Sequence, residues 1–120
     1  MQSFVVFYPC IDLEVTKSFY LDKMNLKIWY EREHVVIFDT GYGYLGFSPR
    51  LDRPLATSTI ISFNCSDVQE VDTLYKKYYE MDDIRILSYP QKQKDYEVYS
   101  FFIEDPNGYK LEFQKILDLV

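Results

Sequence analysis

The chain has 120 residues, 48% hydrophobic and 27% charged, with 12 Tyr and 9 Phe. That is enough apolar material for one domain-sized core, and it excludes a collagen-like or disordered chain. A net charge of −6 at pH 7 leaves no basic excess to release counterions from a nucleic acid.

Ser3 to Ile11 reads as a strand rich in β-branched and aromatic residues, with Pro9 suited to an edge because it lacks an N–H. Asp12 opens a helical stretch in which Leu13, Val15, Phe19 and Met24 are apolar. Asp12 or Thr16 can cap its start, and its end falls near Lys23 to Asn25. Strands follow at Lys27 to Glu31, Val35 to Thr40 and Tyr44 to Phe47, joined by a polar turn at Glu31 to His34 and by Gly41-Tyr42-Gly43. Arg50 to Ala56 reads as a linker between two halves, each too short for a good core of its own.

The second half restarts the same order. Ser58 to Cys65 is a strand, and Asp67 begins a helix whose apolar stripe is Val68, Val71, Leu74, Tyr75 and Tyr78. Ile84 to Tyr89 reads as a strand, Pro90 to Asp95 as a polar loop, and Glu97 to Glu104 and Tyr109 to Gln114 as two more strands. Asp105-Pro106-Asn107-Gly108 is a turn between them, since Pro presets φ and Gly tolerates positive φ. Lys115 to Val120 extends the strand or packs as a tail. Asp12 and Asp67 correspond at an offset of 55, as do Tyr20 and Tyr75. The expectation is an α+β fold of one domain, residues 1–120. It consists of two βαβββ modules (about 1–50 and 57–120) that pair into a curved sheet cup with helices outside.

Strand alternation then selects candidate ligand-binding residues. If Asp105 to Gly108 is a tight turn, Phe101 lies opposite Glu112 and Tyr99 opposite Gln114. One face then carries Tyr99, Phe101, Ile103, Lys110, Glu112 and Gln114, a mixture suited to a pocket wall. The other strands offer Phe7, Tyr44, Ser48, Ser62 and Asn64 by the same alternation. Glu112 stands out as an acid among apolar neighbours, and two readings stay open, a solvated sheet face or a cavity.

The remaining chemistry-bearing residues have plainer readings. His34 is the only histidine and sits in a polar hairpin, and no His or Cys cluster has zinc spacing. Tyr42, Tyr44, Tyr96 and Tyr99 are an aromatic clamp or sheet packing. Trp29 and Tyr30 lie on opposite faces of an ideal strand, so at most one faces a cavity. Arg32, Arg50 and Arg53 read as solvated. Gly41 to Gly46 lacks the strand-to-helix setting of a phosphate loop. Cys10 and Cys65 read as buried small hydrophobes in a reducing compartment, with one bridge left open. No apolar run reaches a membrane span and the N-terminus lacks a secretory pattern, so a cytoplasmic domain binding neither nucleic acid nor membrane is expected.

Two stretches, Asp12-Leu-Glu-Val-Thr-Lys-Ser-Phe19-Tyr20 and Asp105-Pro-Asn-Gly-Tyr-Lys-Leu-Glu112-Phe113, resemble the glyoxalase, bleomycin-resistance and extradiol-dioxygenase superfamily, the vicinal-oxygen-chelate fold. The resemblance spans essentially the whole chain and implies paired modules and a homodimer. Family enzymes commonly hold a metal with His, Glu or Gln from four strands. The last of those positions corresponds to Glu112, whereas the others fall at Val5, near Gly46, and at Ile60 or a neighbour, and none of these three residues is a ligand. The resemblance therefore implies a metal-free protein without a cofactor that binds or sequesters a small organic molecule, similar to bleomycin-type antibiotic-resistance proteins. The enzymatic alternative is a lyase, isomerase or thiol transferase of glyoxalase or fosfomycin-resistance type, with Glu112 as base or ligand.

Overall fold

In each half of the chain the first strand pairs with the last in parallel, within an open sheet. The computed structural model describes residues 1–50 and 52–119, so Leu51 of the expected linker and Val120 of the expected tail lie outside the described residues. The chain divides into two compact units, Met1–Ala56 and Thr57–Val120.

In the first unit, β1 (Val5–Cys10), β2 (Lys27–Arg32), β3 (Val35–Asp39) and β4 (Tyr44–Pro49) form a sheet in the order β1-β4-β3-β2. Between β1 and β2 runs α1 (Leu13–Ser18), whose start is capped as the sequence suggests: the Asp12 carboxylate accepts from the Val15 N–H at 2.9 Å. The helical segment ends near Lys23 to Asn25, as expected, but its last part, Phe19–Lys23, is a π-helical turn, and Asn25 follows it at φ 57°. That turn buries the consecutive rings of Phe19 and Tyr20. Tyr20 packs on Phe38 and Phe47, at ring separations of 5.7 and 4.7 Å, so the helical segment covers the sheet face carrying β3 Phe38 and β4 Phe47.

The second unit repeats the plan. Strands β5 (Ile60–Asn64), β8 (Val98–Glu104), β9 (Lys110–Ile116) and the short β6 (Arg85–Ile86) order as β5-β9-β8-β6, and β7 (Gln91–Lys92) also pairs with β8. The expected strand Ile84 to Tyr89 contracts to two residues, after which Leu87 donates its N–H to the Phe102 carbonyl at 2.9 Å. The expected loop at Pro90 to Asp95 holds β7. Helix α2 (Val68–Tyr79) starts at Asp67, whose carboxylate accepts from Glu70 N–H at 2.8 Å. It lays Tyr75 and Tyr78 on Phe101, at 5.4 and 6.5 Å, and Tyr78 on Phe113 at 5.3 Å. Each unit is thus one sheet with a helical layer on one face, an α+β architecture.

The hairpin between β8 and β9 departs from the expected register. Asp105 donates its N–H to the Tyr109 carbonyl at 2.9 Å, and Glu104 pairs with Lys110. The loop proper is therefore three residues, Pro106 to Gly108, closed by a Gly108 N–H to Asp105 carbonyl bond of 3.1 Å with Gly108 at φ 89°. The Asp105 carboxylate fixes this odd count by accepting from the N–H groups of Asn107 and Tyr109. Phe101 consequently pairs with Phe113, Phe102 with Glu112, and Ser100 with Gln114. One residue of slip turns every β8 side chain to the other face.

Candidate functional site

The face of the second sheet opposite α2 gathers the polar residues of this unit. Cross-strand partners share a face, and Ser62 pairs with Glu112, Asn64 with Gln114 and Ile60 with Lys110. Across β8, Ser100 and Phe102 join them. Glu112 is 9% exposed, and its two oxygens are held separately. The Ser62 hydroxyl donates to Oε1 at 2.6 Å and the buried Ser100 hydroxyl donates to Oε2 at 2.9 Å. Gln93 supports the second serine by donating from Nε2 to Ser100 Oγ at 3.0 Å. Beside this network, Gln114 Nε2 donates to Asn64 Oδ1 at 2.9 Å. Among the described residues, no ammonium or guanidinium lies within 4.0 Å of the Glu112 carboxylate.

A hollow of about 260 Å³ lies on the same face, lined by Ile60, Leu87, Ser88, Phe102 and Lys110. The register places it beside the carboxylate, since Phe102 is the cross-strand partner of Glu112 and Ile60 is two residues before Ser62 on β5. The reading of Glu112 as a solvated surface acid is replaced by this buried, doubly hydrogen-bonded one.

The expected site residues divide between the two units. Ser62, Asn64, Glu112 and Gln114 come together as described. Tyr99 and Phe101 do not join them, because the three-residue hairpin turns both to the helix side. Phe101 is fully buried under α2, and Tyr99 donates its hydroxyl to Asp72 of α2 at 2.6 Å, a bond that pushes its pKa up to about 12. Phe102 takes the place expected for Phe101. Phe7, Tyr44 and Ser48 lie in the first unit, on the sheet face opposite the helical layer. There Phe7 pairs with Gly46 and its ring lies over that glycine, while Ser48 Oγ accepts from Arg53 Nη2 at 2.8 Å.

The first sheet also corrects the reading of Trp29 and Tyr30. A bulge between Ile28 and Tyr30 breaks the alternation. Tyr30 pairs with Ile37, and the Trp29 ring sits 4.4 Å from that of Tyr44, so both face away from the helical layer. Arg32 stacks over Tyr30 at 4.6 Å, whereas His34 is exposed in its turn.

Ser100, Gln93 and the hollow's Leu87 and Ser88 escaped the sequence reading. Ser100 carried a signal, as the lone small polar residue in the run Val98 to Ile103, but the assumed even-numbered turn put it on the wrong face. Gln93 and Ser88 lie outside regular strands, where periodicity carries no information.

A metal of the kind family enzymes use does not fit these residues. Val5, Gly46 and Ile60 bring no ligating side-chain atom, and both Glu112 oxygens already accept serine hydroxyls. Among the described residues, no three His, Cys, Asp or Glu side chains converge. Cys10 and Cys65 are buried and not in a disulfide, and burial pushes the Cys65 thiol up to about 11, away from nucleophilic or ligating chemistry. Among the described residues, no helix is long and apolar enough to cross a membrane.

The sequence profile of the Glyoxalase/Bleomycin resistance protein/Dioxygenase superfamily matches residues 4–113. Among curated proteins, none matches the sequence. Among solved structures, a glyoxalase/bleomycin resistance protein/dioxygenase from Nocardioides superposes with a TM-score of 0.79 at 18% identity, covering 98% of this chain and 85% of its own. A protein of the same description from Alicyclobacillus acidocaldarius gives 0.79 at 20% identity, covering 98% and 92%. A lactoylglutathione lyase from Agrobacterium tumefaciens gives 0.73 at 20% identity, covering 96% and 92%. At these identities the likeness is one of fold.

Proposed function

The chain belongs to the Glyoxalase/Bleomycin resistance protein/Dioxygenase superfamily, and from that premise we propose that it binds a small organic molecule without a metal, on the helix-free face of its second sheet. The observation that carries this reading is the Glu112 carboxylate, buried and oriented by Ser62 and Ser100 beside a hollow with apolar walls. A carboxylate offers about four lone-pair positions and the serines use two, so a ligand amine or hydroxyl finds a preorganised acceptor. Apolar walls with a few placed polar groups are the usual composition of a ligand site. The protein's net charge of −6 favours a cationic or amphipathic ligand over a phosphate ester.

The test pairs metal analysis of the purified protein with a thermal-shift panel of small amines, acids and neutral aromatics, run on the native chain and on Glu112→Gln. The expected result is substoichiometric metal and a subset of amine-bearing compounds whose shift disappears in the variant. A tightly held metal at one per chain overturns the reading. The enzymatic alternative in this superfamily rests on the same carboxylate. It gains support from turnover of a thiol adduct or thiol acceptor that Glu112→Gln abolishes, and loses it if both proteins turn over equally. The homodimer implied by the resemblance is part of the proposal and is read from solution mass across micromolar concentrations.

A further inference from the structure

We propose that the hollow beside Glu112 takes an amphipathic amino acid-like zwitterion, its carboxylate held by Lys110 and Ser88 and its amine directed to Glu112. This rests on the binding reading above and names the ligand class of the same site. Three observations meet in it.

The first is the unused donors. Lys110 lines the hollow, and among the described residues no acid lies within 4.0 Å of its ammonium. Its cross-strand neighbour Glu104 is engaged by Arg85 at 3.5 Å. Ser88 also lines the hollow, and its Oγ accepts the Phe102 N–H at 3.0 Å. Its hydroxyl proton is given to no described acceptor and remains available. An ammonium and a hydroxyl at one hollow form a carboxylate site.

The second is the spacing of opposite charges. Lys110 and Glu112 are two residues apart on β9 and share a face, so their Cα atoms are separated by roughly 6.6 Å. Both side chains leave the same face of β9, the Lys110 ammonium lining the hollow and the carboxylate next along the strand, across from the hollow's Phe102. Glu112 is turned to its serines and does not pair with Lys110. A ligand carrying both charges satisfies both groups, whereas a ligand with one charge leaves the other group facing a mismatch.

The third is the apolar wall. Ile60, Leu87 and Phe102 supply aliphatic and aromatic surface between the polar groups, and Ile60 and Leu87 are exposed large hydrophobics. At about 260 Å³ the hollow is smaller than the roughly 300–1,000 Å³ of drug-sized sites, which selects a compact body such as one ring or a branched alkyl group.

The experiment uses three probes that share a phenyl group and differ in charge: phenylalanine (zwitterion), 3-phenylpropanoate (acid only) and 2-phenylethylamine (amine only). Binding is read by NMR titration of the full chain, of Lys110→Gln and of Glu112→Gln, with each variant's thermal unfolding checked first. Phenylalanine is expected to bind tightest. Lys110→Gln should weaken phenylalanine and the acid about three- to fivefold and leave the amine unchanged, the size expected for a solvent-facing ion pair. Glu112→Gln should weaken phenylalanine and the amine and leave the acid unchanged. If the amine binds through Glu112 but Lys110→Gln moves neither carboxylate probe, the zwitterion inference is overturned while the binding site stands. If no probe perturbs the hollow's residues in the native chain, the inference fails; if the broader panel also shows no Glu112-dependent ligand, the binding reading fails with it.

Discussion

Ser62 donates to Glu112 across parallel strands at 2.6 Å, at the place where the first unit sets Phe7 across from Gly46. In each unit the residue on the first strand lies five positions before the aspartate that caps the helix. One plan therefore carries two chemistries. The first unit fills the position with an aromatic ring over a bare backbone, and the second with a hydroxyl on an acid. The helix-free faces present different chemistry, while the helix-side cores remain aromatic in both.

Removal of the Glu112 carboxylate tests whether that polar position is structurally integrated. In Glu112→Ala the buried Ser100 hydroxyl loses its acceptor, and the expected cost is about 1–3 kcal/mol by urea denaturation. Glu112→Gln keeps the shape and an acceptor oxygen, so its cost stays below about 1 kcal/mol. Equal midpoints for the two variants show that the serines find water instead, and that the network orients the acid without stabilising the fold.

A Cβ built on Gly46 lies 2.6 Å from two ring carbons of Phe7, closer than packed atoms approach. Gly46→Ala should therefore destabilise the chain by about 1–3 kcal/mol, the usual range for overpacking. Phe7 is 47% exposed, so its ring has room to swing outward and the lower end of that range is expected. The double variant with Phe7→Ala should recover most of the loss, giving a coupling energy of about 0.5 kcal/mol or more. Additive single effects would mean that the clash is relieved by backbone movement.

The two helix caps offer a comparison between units. Asp67 accepts from Glu70 N–H, and Glu70 in turn accepts the Ser66 N–H at 2.7 Å, so the start of α2 has reciprocal bonds. Asp67→Ala is expected to cost about 1 kcal/mol, and Asp12→Ala a similar amount or less because α1 has only six residues before its π turn. Thermal melts followed by far-UV dichroism measure both. A larger loss from Asp12 would reveal a role beyond capping.

Much of this architecture is legible in the residues. The aspartate caps, the strand blocks and the doubled order follow from local patterns at Asp12, Asp67 and the β-branched runs. The acid at Glu112 and its neighbours on β5 and β9 follow from alternation, which is reliable along one strand. Alternation does not carry across a hairpin, where loop parity decides. The Asp105 carboxylate closes a three-residue loop where a four-residue turn was expected, which exchanged Tyr99 and Phe101 for Ser100 and Phe102 beside Glu112. The bulge at Trp29 defeats alternation within a strand in the same way. Leu87, Ser88 and Gln93 reach the site from short irregular segments hydrogen-bonded to β8, and no sequence period reports such contacts.

Alkaline pH should destabilise the fold through three groups on the helix side of the second sheet. Burial raises the Cys65 thiol from 9.0 to about 11, with Glu70 adding to it, and burial raises Tyr78 from 10.0 to about 12. The hydrogen bond to Asp72 raises Tyr99 over the same interval. Each group keeps its proton to higher pH in the native state than in the unfolded chain. Above pH 9 the native state therefore binds more protons, and stability falls as pH rises, first through the Cys65 window of 9 to 11 and then through the tyrosine window of 10 to 12. Urea midpoints at pH 8, 9.5 and 11 should decline, with the steeper drop in the second interval, where all three groups titrate in the unfolded chain. Cys65→Ala should flatten the first interval, and Tyr99→Phe should reduce the loss in the second without touching the first. A midpoint constant from pH 8 to 11 would mean that Cys65 and Tyr78 reach water in the native state, with α2 packed more loosely on Phe101 and Phe113 than their ring contacts indicate, and that the Tyr99–Asp72 hydrogen bond does not hold in solution.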